Sequence, residues 1–348
     1  MGVTAARALP AGAVLLAVAL AAAILLGPAR VSPQGVVAVL RDALGVAPLP
    51  QEFLRDAAIL TAIRLPRALV AAMVGAGLAI AGATMQGLFR NPLADPGLIG
   101  VSAGAALAAV SAIVLGGDML RPAASLRAGT LALWLLPAAA FAGGLGATFL
   151  VARVAARDGG MPVGTLLLAG IAINALANAG IGLLLFMADD RQIRDVTFWL
   201  LGSLAGARWP MVPVLAATIM LPALGLLLLA RPLNGLALGE REAFHLGIDV
   251  ERAKRIAMVL SAIVVSAGVA FTGLVAFVGL VVPHLVRLAC SADHRVVLPG
   301  SALLGAALLS AADLAARTLA APAELPIGVV TSLIGAPFFL WLLRRDVS

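Results

Sequence analysis

The chain has almost no lysine, cysteine or aromatic side chains, and each shortage closes a class of function. One of its 348 residues is cysteine, so Cys290 can form neither an intrachain disulfide nor a thiolate metal cluster and reads as a packing residue. Aromatic residues make up only 4% and tyrosine is absent. With a single lysine and no basic run, the formal net charge of +7 does not mark a nucleic-acid surface, since there is little on which bases could stack. That lysine, Lys254, lies outside any G-x-x-x-x-G-K-S/T sequence, so no phosphate loop is available to hold and hydrolyse ATP. The three histidines, His245, His284 and His294, stand far apart and make no H-E-x-x-H pair.

What is abundant is apolar sequence. Hydrophobic residues reach 62% and charged residues only 12%, which defines a polytopic, all-α membrane protein rather than a soluble domain. Arg7 precedes an apolar segment from about 9 to 27, long enough to be a first membrane helix and longer than a signal-peptide core of about 7–15 residues. Residues 30–63 leave the membrane, broken by Pro33, Pro48 and Pro50, with a short amphipathic helix expected around 51–62. Further apolar segments fall at about 65–88, 97–116, 130–154, 162–187, 209–230, 256–276, 277–290, 298–318 and 326–343. The total is about ten membrane helices, with both termini on one side. Phe271, Thr272 and Gly273 divide the long run 256–290, and its second helix is short. Arginines flank the spans because a charge at the bilayer centre costs about 2.5–3.5 kcal/mol.

The most informative stretch is Arg64 to Gly104, RLPRALVAAMVGAGLAIAGATMQGLFRNPLADPGLIGVSAG. Pro66 stands where the first turn of a helix tolerates it. Gly75, Gly77 and Gly82 supply the small-residue pattern that lets membrane helices approach closely. Arg90-Asn91-Pro92 and Asp95-Pro96-Gly97 then form a turn before the next apolar run. This stretch closely resembles the permease subunits of ATP-binding-cassette importers for cobalamin, haem and ferric siderophores. Later blocks share the resemblance: LLLAGIAINAL, RPLNGLALGEREAFHLGI, FVGLVVPHLVRL and DHRVVLPGSALLGA. It runs from about Arg64 to Leu343 and implies the type II importer permease fold, one transmembrane domain over 1–348, in the bacterial inner membrane with cytoplasmic termini.

Three constellations are candidates for function. The stretch 231–255 is the most charged of the chain and longer than a turn between antiparallel helices requires. Within it GEREAFHLGI resembles the family's cytoplasmic loop that docks into an ATPase subunit, which implies Glu240, Arg241, Glu242, His245 and Leu246 as contacts bounded by Gly239 and Gly247. The resemblance also places Arg64, Arg67 and Arg317 on the outer face, where they receive carboxylates of a periplasmic binding protein; exposed pairs of that kind are worth about 0.2–1 kcal/mol each. Interfacial anchoring to lipid phosphate is the plain alternative. Asp313, four residues before Arg317, has the spacing to orient its guanidinium or to make a packing pair.

In the fifth span Gly170, Asn174, Asn178 and Gly182 recur every fourth residue and form one stripe. Asparagines there must either bond to neighbours or face water. Resemblance favours lining a channel at a dimer axis, with Val163 and Gly164 at an inner gate and Asn91 and Leu93 at a second constriction. Val163 and Gly164 lack the hydroxyls of some relatives, so closure there is by shape.

A possible internal repeat relates Gly77, Ala79, Gly82 and Pro92 to Gly268, Ala270, Gly273 and Pro283, giving halves at about 64–187 and 255–343. The expected protein is a non-enzymatic permease that works as a homodimer, with no cofactor of its own. Two partner ATPase subunits bind ATP and magnesium, and a periplasmic binding protein delivers the substrate. Haem is favoured as cargo, with ferric siderophore and cobalamin as alternatives. His284 reads as a packing residue rather than an axial ligand to haem iron. An ion-coupled secondary transporter is the reading from a different class, and it would need ionisable groups near midspan that these runs lack.

Overall fold

Apolar helices follow one another in chain order, each within a few residues of an apolar run in the sequence. They are α1 (Val3–Leu25), α2 (Leu65–Phe89), α3 (Val101–Leu120), α4 (Thr130–Ala155), α5 (Val163–Met187), α6 (Met211–Leu227), α7 (Val250–Thr272), α8 (Val278–Ala289), α9 (His294–Thr318) and α10 (Ile327–Asp346). The structure is a computed structural model that describes residues 3–120, 130–156 and 160–346. The connections 121–129 and 157–159, inside the first expected half, lie outside the described residues. Among the described residues five helices are long and apolar enough to cross a membrane, six if α6 and its bent continuation Ala230–Leu238 count as one. Shorter apolar helices in α1, α3, α8 and α10 make the architecture consistent with about ten. At 12 residues α8 is only about 18 Å long, too short to span the bilayer alone.

The segment before α2 differs from expectation. The helix expected around 51–62 is present as the start of a longer one, and a short amphipathic helix stands at Pro33–Ala43. Ser32 caps it by accepting from Gly35 N–H at 2.9 Å, while its own hydroxyl donates to Asp56 at 2.7 Å. From Gln51 the chain is helical all the way to Phe89, with one proline, Pro66, inside that run. Pro66 is accommodated by a π-helical turn, Ala58–Arg64, immediately before it. Pro222 in α6 follows the π-helical turn Ala216–Met220 in the same way. A further helix, Asp190–Leu201, carries a full capping box between Asp189 and Gln192.

The hub of the fold is α2, buried along almost its whole length and packed on α7, α8 and α9. Its glycines are what allow this. A Cβ at Gly75 would overlap the carbonyl oxygen of Gly305 in α9, and one at Gly82 would overlap that of Gly279 in α8. Backbone therefore meets backbone at both crossings. The second group, α3, α4 and α5, joins the hub through contacts of α3 and α4 with α7. The residues matched by the repeat are placed differently: Gly82 is a helix-interior contact, whereas Gly273 ends α7 with φ 69°.

Candidate functional site

The charged segment 231–255 is folded rather than a solvated loop. Its first part, Ala230–Leu238, is a helix bent by 53° from α6, and it buries Leu233 and Leu236 against α2 and α9. Asn234 pins it to the start of α9, donating to Asp293 Oδ1 at 2.7 Å and accepting from the His294 backbone at 2.9 Å. The Arg295 backbone N–H and the Asn234 amide hold the Asp293 carboxyl below its ordinary range.

Gly239, at φ 132°, reverses the chain into the helix Glu240–His245. Arg241, Glu242, His245, Leu246 and Gly247 are exposed together on this short helix and the turn after it. Leu238, Phe244 and Leu246 add an apolar surface 63–70% exposed, which is unusual for such side chains in a charged segment. Phe244 was not singled out from the sequence, although a lone aromatic among Glu, Arg and His was its signal. Glu240 points the other way. Its carboxylate reaches the buried Lys254 at 2.7 Å.

At the opposite end of α2 the structure gathers Arg64, Arg67 and Arg317, but not as exposed side chains. Their exposures are 3%, 8% and 5%. Arg67 forks between two carboxylates, with Nε 2.9 Å from Asp313 Oδ1 and Nη1 and Nη2 at 2.9 and 3.0 Å from the oxygens of Glu324. Asp313 also lies 3.6 Å from Arg317 Nε. Arg64 donates to the carbonyls of Ile24 and Leu25 at 2.9 and 2.7 Å and also to Ala29, and Arg317 donates to Ala23. The carbonyls of Ala23, Ile24 and Leu25 are the orphans at the end of α1, which guanidinium groups satisfy well. The small energies of exposed pairs therefore do not apply here. The correction has a physical cause: Asp313 and Glu324 stand 246 and 257 residues from Arg67, and α9 brings the first of them against α2.

The stripe on α5 divides. Gly170 is buried where a Cβ would overlap the Leu98 carbonyl oxygen, and Asn174 Nδ2 donates to the Gly97 carbonyl at 3.0 Å. These two residues fasten α5 to the Pro96–Ile99 turn instead of facing an open path. Asn178 and Gly182 are exposed, as is Gly164 at the start of the helix. Val163 is half-buried. Asn91 and Leu93 are exposed on the turn after α2, where Asn91 Oδ1 accepts from Leu93 N–H at 2.9 Å. Among the described residues no group of three metal-ligating side chains comes together.

The bundle of apolar helices, five or six of them long and apolar enough to cross a membrane among the described residues, is the architecture of a multi-pass membrane protein. The FecCD transport family model matches residues 15–345, and the chain belongs to that family. It is 50% identical over 285 residues to the hemin transport system permease protein HmuU of Yersinia pestis, covering 82% of each chain. To the cobalamin import system permease protein BtuC of Halobacterium salinarum it is 46% identical over 290 residues, 83% of this chain and 74% of that one. A solved structure described as an inward-facing conformation of a transporter assigned to the metal-chelate ABC type superposes with a TM-score of 0.82 at 31% identity, over 97% of this chain and 99% of that one.

Proposed function

We propose that this chain is the translocation subunit of an ATP-driven importer that carries a metal chelate, with haem the favoured cargo, from the periplasm into the cytoplasm. The observation that carries the substrate is the 50% identity to a hemin permease across 82% of both chains. Cobalamin and ferric siderophores are the alternatives of the same class. In this reading the subunit performs no covalent chemistry and needs no cofactor. It works as a homodimer in the inner membrane with both termini cytoplasmic. Its ATP and magnesium sit in two partner ATPase subunits, and a periplasmic binding protein presents the cargo. Supporting the dimer, α5 exposes Leu168, Leu176, Leu183 and Phe186 by 63–88% on the single chain.

The Glu240–Gly247 knuckle is the motor contact, since its exposed Phe244 and Leu246 provide an apolar centre with Arg241, Glu242 and His245 beside it. The arginine cluster marks the binding-protein face. There Glu324, with its side chain 38% exposed, is the accessible edge of the Arg67 network. Ion-coupled carriage is disfavoured because the buried charges Arg67, Asp313 and Arg317 gather around the end of α1 and are already partnered, Arg67 by Asp313 and Glu324 and Arg317 by Asp313 and the Ala23 carbonyl.

Uptake into liposomes containing the permease with its ATPase and binding protein, offered haem, cobalamin and a ferric siderophore in parallel, tests this function. ATP-dependent uptake of haem alone is expected; uptake of only one of the others would reassign the cargo, and ATP-independent uptake would remove the importer reading. Glu242→Arg tests the motor contact. It should leave the purified permease as stable as the parent and abolish ATP-driven uptake by reversing charge at an exposed contact position. Unaltered uptake would exclude Glu242 from the interface.

A further inference from the structure

The only lysine of the chain is also among its most deeply buried side chains, 1% exposed, and its partners come from three separate segments. Lys254 Nζ lies 2.7 Å from Glu240 Oε2 on the exposed knuckle and 3.1 Å from Glu251 Oε1, one turn earlier on α7. It also donates to the carbonyl of Met161 at 3.3 Å. Glu251 closes the ring with its other oxygen, which accepts from the Met161 backbone N–H at 3.0 Å. Met161 is two residues before α5 begins at Val163. A Cβ at Gly160 would crowd the Glu251 carboxylate, so the strand of backbone entering α5 is fitted closely around it.

We propose that Lys254 is a positioning residue that latches the motor-contact knuckle to the entrance of α5, so that movement of one moves the other. This rests on the reading of Glu240–Gly247 as the motor contact and of Val163–Gly164 as the inner gate. One ammonium is shared by two carboxylates, so the arrangement is stiff and tolerates no simple loss. Without the lysine, Glu240 and Glu251 would converge on one point with like charge and the knuckle would be pushed away from α7. A neutral side chain of the same length cannot replace it. Arginine, with several donors on one charge, can still reach two carboxylates and a carbonyl. A staple that merely stabilised the fold would have no need to join these two segments in particular, and the distinction can be measured.

The experiment uses the permease assembled with its ATPase in lipid nanodiscs, with Cys290→Ser and an environment-sensitive fluorophore on Pro162→Cys, an exposed residue at the start of α5. In the parent, ATP is expected to change the emission. In Lys254→Met, hydrolysis should persist while the emission change falls at least about fivefold, the low end of a typical coupling factor, and Lys254→Arg should restore most of it. An emission change of parental size in Lys254→Met overturns the latch. If Lys254→Met fails to assemble, Lys254→Met with Glu251→Gln, which removes one unpaired carboxylate, is read in the same way. A parent that hydrolyses ATP with no emission change overturns the gate reading itself, and the latch with it. Reduced melting temperature with an intact emission change would show a purely structural role and also overturn the proposal.

Discussion

Arg67→Ala is expected to cost about 3–5 kcal/mol of folding stability, because it strands a buried carboxylate. Asp313 is 1% exposed and loses its close contacts from Arg67, Nε at 2.9 and 3.1 Å and Nη2 at 2.9 Å, keeping Arg317 at 3.6 Å. Glu324 also loses its partner, but it is at the rim and can turn to water. The effect should be seen as a lowered midpoint in thermal denaturation of the detergent-purified permease, with no partner protein present. Arg67→Met combined with Asp313→Asn should recover part of the loss, since it removes the stranded carboxylate but leaves the buried Arg317 with only the Ala23 carbonyl. Glu324→Gln should change stability by less than about 1 kcal/mol. An unshifted midpoint in Arg67→Ala would show that the cluster does not hold α2 to α9.

The helices themselves were legible because hydrophobicity over some twenty residues is a local property. The boundaries of α2 at Leu65–Phe89 and of α5 at Val163–Met187 fall within a residue or two of the expected 65–88 and 162–187. Misreadings arose where the deciding partner is distant or the signal is brief. The helix Pro33–Ala43 had a brief local signal, Ser32 at the cap and Pro33 at the first position, but its tie to Asp56 spans 24 residues and no local pattern discloses it. The helix Asp190–Leu201 had a signal, the Asp189 to Gln192 capping box, but its apolar content is too low for a hydropathy reading to register. Of the site, the knuckle residues were legible as a motif. Their division into an outward face and an inward Glu240 was not, because it depends on Lys254 emerging from α7 fourteen residues later.

The arginines show the same limit in another form. Spacing and resemblance grouped Arg64, Arg67 and Arg317, and the structure brings them to one end of the bundle. Their burial follows from α1, whose terminal carbonyls Ala23, Ile24 and Leu25 require donors, and from Asp313 on α9. On the proposed reading, the binding-protein face is built on three guanidinium groups already paired within the chain, by the carboxylates of Asp313 and Glu324 and by the carbonyls near the end of α1. Docking there would act on the accessible rim, Glu324 first, and through it on Arg67 and the α2–α9 crossing.

Gly170 and Gly182 are indistinguishable in sequence, two glycines in register on one helical stripe, yet alanine should affect them in opposite ways. At Gly170 the new methyl would overlap the Leu98 carbonyl oxygen, a backbone atom that can yield only if the Pro96–Ile99 turn moves. Such overpacking costs about 1–3 kcal/mol, and the displacement also pulls the Gly97 carbonyl from Asn174 Nδ2, leaving a second polar group of that side chain unpaired beside its Oδ1. At Gly182 nothing lies within 4 Å, and alanine should be neutral or stabilise by up to about 1 kcal/mol through its better helix propensity. Thermal denaturation of the two purified variants side by side checks this. A lowered midpoint for Gly170→Ala alone would establish that the first half of the stripe is a packing seam and leave Asn178 and Gly182 as the part of α5 free to face a pathway. Equal midpoints would mean that α5 is not seated on the Pro96–Ile99 turn, and the stripe would return to a single lining face.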